Sequence, residues 1–124
     1  MHKVEDLKIW QKAIELVKLV YLLIAELPSD EKYGLISQIK RSAISIPSNI
    51  AEGAGRNSNK EFIHFLSIAN GSTYELQTQL ILVLELNLST KQKVSTLIDA
   101  CIEIQKMNYS FQKTLKENDL NTQY

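Results

Sequence analysis

The chain has 124 residues, 44% of them hydrophobic, and its 14 Lys and Arg are balanced by 14 Asp and Glu. That length suits one domain and can bury a core without disulfides or metals. The apolar content excludes a disordered chain except at the ends, and zero net charge removes any argument for nucleic-acid binding from bulk charge, leaving only a local patch. The one cysteine, Cys101, has no internal partner and falls in an apolar helical pattern, where a free thiol behaves as a small hydrophobe. No basic start leads into an apolar run with a cleavage site. Charges interrupt every apolar stretch short of the ~18–20 residues of a membrane span, so cytoplasm is the expected compartment and no membrane partner is expected.

The first helix is expected from about Glu5 to Glu26, closed by Leu27-Pro28. Trp10, Ala13, Val17, Val20, Ile24 and Leu27 alternate steps of three and four, the seam of a packed bundle helix. Ile9, Leu16, Leu19 and Leu23 make a second stripe beside it, which either widens the core face or touches another subunit. The second helix is expected from near Tyr33 to about Glu52, with Ile36, Ile39, Ala43, Ile46 and Ile50 as its seam. Pro47 lies inside that pattern; it lacks a backbone donor and pushes on the carbonyl of Ala43, so a kink or a break is expected there. Gly53 and Gly55 are read as ending the helix through left-handed backbone angles.

Ser58, three residues before Glu61, has capping-box spacing and opens the third helix. Phe62, Leu66, Ala69, Thr73, Leu76, Leu80 and Val83 form its seam, widened by Ile63, Phe65, Ile68, Ile81, Leu82 and Leu84. Gly71-Ser72-Thr73 is a small-residue window where a neighbour is expected to pack closely, with Ala43 and Ser45 the candidates. Ser89 and Gln92 repeat the capping spacing and introduce the fourth helix, whose seam is Val94, Leu97, Cys101, Ile104, Asn108, Phe111 and Leu115. From about Glu117 the chain turns polar and is expected to fray. The pattern predicts a single all-α domain over residues 1–124, an antiparallel up-down four-helix bundle with a Pro-kinked second helix and a core over about residues 4–116.

Catalytic apparatus is not found. Glu61 and His64 make one E-x-x-H pair, but di-iron bundles need that pair on two helices and a further Glu on each of the others. No G-x-S-x-G turn occurs. Gly53-Ala54-Gly55 follows a helix and lacks the G-K-[ST] ending of a phosphate loop, and one cysteine cannot support a zinc site. The expectation is a protein that is not an enzyme and uses neither cofactor nor metal.

Charge becomes informative when the chain is divided. Residues 32–60 carry Lys32, Lys40, Arg41, Arg56 and Lys60 against Glu52 alone, whereas residues 61–88 carry only Glu61, Glu75 and Glu85. The joint between the second and third helices therefore reads as a local basic region, and Lys40, Arg41, Arg56 and Lys60 are the candidate nucleic-acid-binding residues. The alternative for the arginines is structural, with Arg41 or Arg56 pairing with Glu52 or Glu75 to lock the bundle. Asn49, Glu52, Glu75 and Gln79 lie near apolar seams and are read as a structural polar network linking the two helices.

Three segments carry a resemblance: DLKIWQKA at Asp6–Ala13, RSAISIPSNIAEGAGR at Arg41–Arg56 and EFIHFLSIANGSTYELQTQL at Glu61–Leu80. They resemble the family of small proteins encoded within intervening sequences of bacterial 23S ribosomal RNA genes, over about residues 4–115. The resemblance implies a four-helix bundle that assembles as a ring-like homopentamer. A similar protein, the accessory protein of diversity-generating retroelements, is strongly basic and binds nucleic acid and a reverse transcriptase; this chain departs from that basic character. Two functions are carried forward. One is a non-enzymatic oligomer associated with RNA through the basic joint. The alternative is a protein–protein adaptor or assembly scaffold that does not bind nucleic acid directly.

Overall fold

The computed structural model describes residues 2–31 and 34–122, and every regular element among them is helical. After a short 3-10 turn at Val4–Asp6 come α1 (Lys8–Ile24), a second 3-10 turn at Ser29–Glu31, α2 (Leu35–Ala54), α3 (Asn59–Glu85) and α4 (Lys91–Thr122). The expected start of the second helix at Tyr33 lies outside the described residues. The chain is an all-α four-helix bundle, as its periodicity predicts.

The seams of α2, α3 and α4 fall where the spacing puts them. Ile36, Ile39, Ala43, Ile46 and Ile50 are buried on α2, and Phe62, Leu66, Ala69, Thr73, Leu76, Leu80 and Val83 on α3. Val94, Leu97, Cys101, Ile104, Asn108 and Leu115 are buried on α4, with Phe111 half-buried. On α1 the seam differs in part from expectation. Of the expected seam, Ala13, Val20, Ile24 and Leu27 are buried; Ile9, Leu16 and Leu23 of the second stripe join them, while Trp10, Val17 and Leu19 only pack against the core. Both stripes thus serve one wide core face, and the large apolar residues this segment leaves exposed are Leu22, at 68%, and Tyr21, at 39%.

Helix ends follow local chemistry. The last turn of α1 tightens, with Glu26 N–H donating to Leu23 O and Leu27 N–H to Ile24 O, before Pro28 disfavours further helix. α2 runs without interruption through Pro47, which is itself buried; packing of Ile46 and Ile50 outweighs the roughly 3 kcal/mol that an interior proline costs. α3 ends in a Schellman motif: Asn87 sits at φ 56°, Leu88 N–H donates to Val83 O at 2.9 Å and Asn87 N–H to Leu84 O at 3.0 Å. The cap of α4 is Thr90 and not Ser89. Thr90 Oγ1 accepts from Lys93 N–H at 3.3 Å, and the Asn87–Leu88 turn leaves Ser89 one residue too early.

The glycines also depart from expectation. No glycine has positive φ among the described residues, so neither Gly53 nor Gly55 ends α2 by left-handed geometry. Gly53 is instead a point of close approach between helices: a Cβ there would lie 2.7 Å from Phe62 Cδ1 and 2.9 Å from Phe65 Cβ. Gly71, where close packing was expected, is exposed with nothing within 4 Å of such a Cβ. The window meets α2 one residue later, at Ser72.

Candidate nucleic-acid interface

The α2–α3 joint is built from Gly53 outward. Because residue 53 has no side chain, the end of α2 lies directly on Phe62 and Phe65. Gly55 N–H then donates to Ala51 O and Arg56 N–H to Gly53 O, each at 3.1 Å, closing the helix with right-handed angles. Three residues later Ser58 caps α3, its Oγ accepting from Glu61 N–H at 3.2 Å and lying 3.2 Å from Glu61 Oε2. The expected N-cap at Ser58 is therefore present, but Glu61 returns to the Ser58 hydroxyl instead of the backbone N–H that a full capping box engages.

This turn fixes Arg56. Its guanidinium donates to Glu52 Oε1 at 2.7 Å, lies 4.0 Å from Glu61 Oε1 and covers the ring of Phe65 at 4.7 Å from the centroid. The planar group is held at one edge by carboxylates and beneath by an aromatic ring. Lys60 is exposed, with no ion pair among the described residues. Arg56, Lys60, Glu61, Ile63, His64 and Phe65 border an open cleft of about 760 Å³. Glu52 and Glu61 offset the two cations, so the joint offers one pinned guanidinium and one free ammonium rather than a strong net field.

Lys40 and Arg41 sit elsewhere. Arg41 lies thirteen residues before the end of α2 at Ala54, roughly 20 Å along the axis, and Arg56 lies beyond that end, so the four candidate cations form two pairs. Lys40 Nζ lies 5.5 Å from the Tyr21 ring centroid, against α1. Arg41 is exposed and unpaired among the described residues.

The polar residues divide similarly. Ser42, buried, lies 2.6 Å from Glu75 Oε1 and 2.9 Å from Gln79 Oε1, so it bridges α2 to both. A hydroxyl carries one proton; the Glu75 carboxylate is its strongest acceptor, and turning the Gln79 amide by 180° lets its NH2 donate to the same oxygen. Asn49 belongs to a second cluster. Its Nδ2 donates to Ser45 O at 2.8 Å and Ser45 Oγ at 2.9 Å, and Ser45 Oγ meets Ser72 Oγ at 2.8 Å. Glu52 joins neither cluster and pairs with Arg56. Of the linking serines, sequence reasoning passes over Ser42 alone; Ser45 and the Ser72 window are singled out there for close packing, and the structure adds the hydrogen bond between them.

Glu61 and His64 point to different partners. Glu61 contacts Ser58 and Arg56, and the His64 ring meets Phe65 edge-on at 5.2 Å. Among the described residues no three His, Cys, Asp or Glu side chains gather into a metal-binding group, and no helix is long and apolar enough to cross a membrane. Cys101 is fully buried, and that burial pushes its thiol up to about 12.

Comparison with known proteins places this geometry. The model of a family described as 23S rRNA-intervening sequence protein matches residues 5–110. A solved structure from Bacteroides thetaiotaomicron, described as a protein with unknown function from the S23 ribosomal protein family, is similar with a TM-score of 0.77 and 27% identity. The match covers 85% of this chain and 98% of that one. No curated protein matches the chain.

Proposed function

Because the chain belongs to the 23S rRNA-intervening sequence protein family, we propose that it is a non-enzymatic, oligomeric bundle protein that associates with structured RNA through the α2–α3 joint. The observation that carries this reading is the Arg56 guanidinium placed over the Phe65 ring, 4.7 Å from its centroid, on the same cleft as Lys60, which forms no ion pair among the described residues. A guanidinium fixed in that way keeps N–H groups for phosphate without ordering a flexible side chain on binding. Lys60 adds a mobile charge in the first turn of α3, where backbone N–H groups and the helix dipole favour an anion. Lys40 and Arg41 offer a second phosphate contact farther along α2. The family's genomic setting, within 23S ribosomal RNA genes, makes RNA the natural ligand class.

The test is an anisotropy titration of a duplex-containing RNA at several salt concentrations. Binding is expected to weaken steeply with salt, in proportion to the phosphates neutralised. Arg56→Glu with Lys60→Glu is expected to reduce affinity at least tenfold; unchanged affinity removes the joint as the site.

The second reading, an adaptor or scaffold whose partner is protein, is favoured by Leu22. It stands exposed on an open groove of about 420 Å³ between α1 and α4, which Leu19, Leu23, Leu97 and the Glu26–Lys93 ion pair also line. Light scattering of wild type and Leu22→Glu tests it. The family resemblance leads us to expect a pentamer; a monomer at micromolar concentration defeats the oligomeric reading, and an assembly that Leu22→Glu leaves intact removes this groove from it.

A further inference from the structure

We propose that the groove between α3 and α4 binds a single-stranded stretch of nucleic acid, with a base stacked on Tyr109 and backbone phosphates held by Lys113 and Lys116. The proposal rests on the reading of the protein as RNA-associated and specifies the form of nucleic acid that a second surface accepts.

The groove has a volume of about 420 Å³, and its lining includes Ser67 and Asn70 from α3 and Tyr109, Gln112, Lys113 and Lys116 from α4. No acidic side chain lines it. Tyr109 is 73% exposed, the most exposed large hydrophobic side chain described, and its ring meets no other ring among the described residues. Lys106, Tyr109, Lys113 and Lys116 step by three, four and three, which places them along one face of α4. The three lysines are exposed and form no ion pair among the described residues. Of the acids of the same helix, Glu103 and Asp119 are engaged elsewhere, with Lys12 at 3.3 Å and with Asn59 at 2.9 Å, and Asp99 and Glu117 are outside the groove lining.

The floor is polar and partly fixed. Asn108, buried, donates from Nδ2 to Leu66 O at 2.9 Å and accepts at Oδ1 from Gln112 Nε2 at 2.6 Å, which pins the Gln112 amide. Asn70 is half-buried and has no hydrogen-bond partner among the described residues, so its amide donor and acceptor remain available. An exposed aromatic ring, adjacent unpaired cations and free amides supply the three interactions a single strand offers: stacking, phosphate charge and base-edge hydrogen bonds. A merely solvated helix face accounts for the lysines but gives no reason for a ring this exposed on the same groove as a free amide. Asn59 Nδ2 also donates to Leu115 O at 3.4 Å and to Asp119 Oδ1, so Lys60 lies at the same end of the α3–α4 pair as Lys116. A strand leaving the groove there reaches the α2–α3 joint.

The experiment titrates the full-length protein against a short fluorescein-labelled oligo(U), the matching oligo(dT) and a blunt RNA duplex. Binding of either oligomer fits the proposal, and a preference between them reports a contact to the sugar. Tyr109→Ala is expected to weaken oligomer binding about tenfold, the scale of one base stack, while Tyr109→Phe retains it and duplex binding is unchanged in both. Lys113→Gln with Lys116→Gln is expected to lower the salt slope for the oligomers by about 1.4. Helical circular dichroism verifies that these surface variants fold. Oligomer affinity unaffected by Tyr109→Ala overturns the proposal, as does duplex binding by a wild type that ignores both single strands; the latter leaves the α2–α3 interface standing. Absence of binding to all three nucleic acids removes both.

Discussion

Gly53 and Phe62 touch where no side chain would fit: a Cβ on residue 53 would lie 2.7 Å from Phe62 Cδ1 and 3.2 Å from the Phe62 carbonyl oxygen. Phe62 is fully buried, and Phe65 Cβ blocks the remaining side at 2.9 Å. Gly53→Ala is therefore expected to destabilise the fold by about 1–3 kcal/mol despite alanine's higher helix propensity. Chemical denaturation reads this directly, and Arg56-dependent RNA binding is expected to fall with it, since the same contact positions Phe65 beneath Arg56.

Gly71 is the internal control. It lies within α3, is exposed, and has open space where a Cβ would be. Gly71→Ala is expected to stabilise by about 0.5–1 kcal/mol, a rise in midpoint at unchanged denaturant slope.

Ser42 is the sole described link between α2 and the Glu75–Gln79 pair. Ser42→Ala removes both contacts at a buried position and is expected to cost about 1–2 kcal/mol. Adding Glu75→Ala is expected to cost less than the sum of the single changes, because the two act on one interaction; a double-mutant cycle measures the coupling.

Cys101 makes stability fall at alkaline pH. Burial raises the folded-state thiol from 9.0 to about 12, so between those values the unfolded chain releases a proton that the folded chain keeps. The contribution is intact below pH 9 and declines at roughly 1.4 kcal/mol per pH unit above it, until the folded thiol ionises. The difference between wild type and Cys101→Ala, measured by denaturation across that window, is expected to narrow as pH rises. At neutral pH the native thiol is expected to react slowly with a disulfide reagent and quickly once denatured.

The fold was legible because its signal is repeated. Four successive seams, such as Ile36 to Ile50 and Phe62 to Val83, encode burial redundantly, and a misjudged residue does not alter the outcome. Of the expected α1 seam, Ala13, Val20, Ile24 and Leu27 are buried, and only Trp10 and Val17 give way to Ile9 and Leu16, since these neighbours are adjacent and equally apolar and only the packing decides between them. Single-residue features were less legible. Glycine at 53 and glycine at 71 look alike in sequence, yet one marks contact and the other open solvent. Counting charge by segment separated Glu61 from Lys60, although the fold brings Glu61 to Arg56. The same count hid the α4 stripe, because the acids that balance Lys106, Lys113 and Lys116 lie in the same segment but outside the groove lining.

The central claim, an oligomeric bundle that carries RNA, is tested most directly by the native mass of the protein purified at low salt, with and without ribonuclease. The account predicts an oligomer whose mass and ultraviolet absorbance include nucleic acid that ribonuclease or high salt removes, and that is reduced in the Arg56→Glu, Lys60→Glu variant. A protein-only mass under all these conditions, with the same absorbance for wild type and variant, would contradict it.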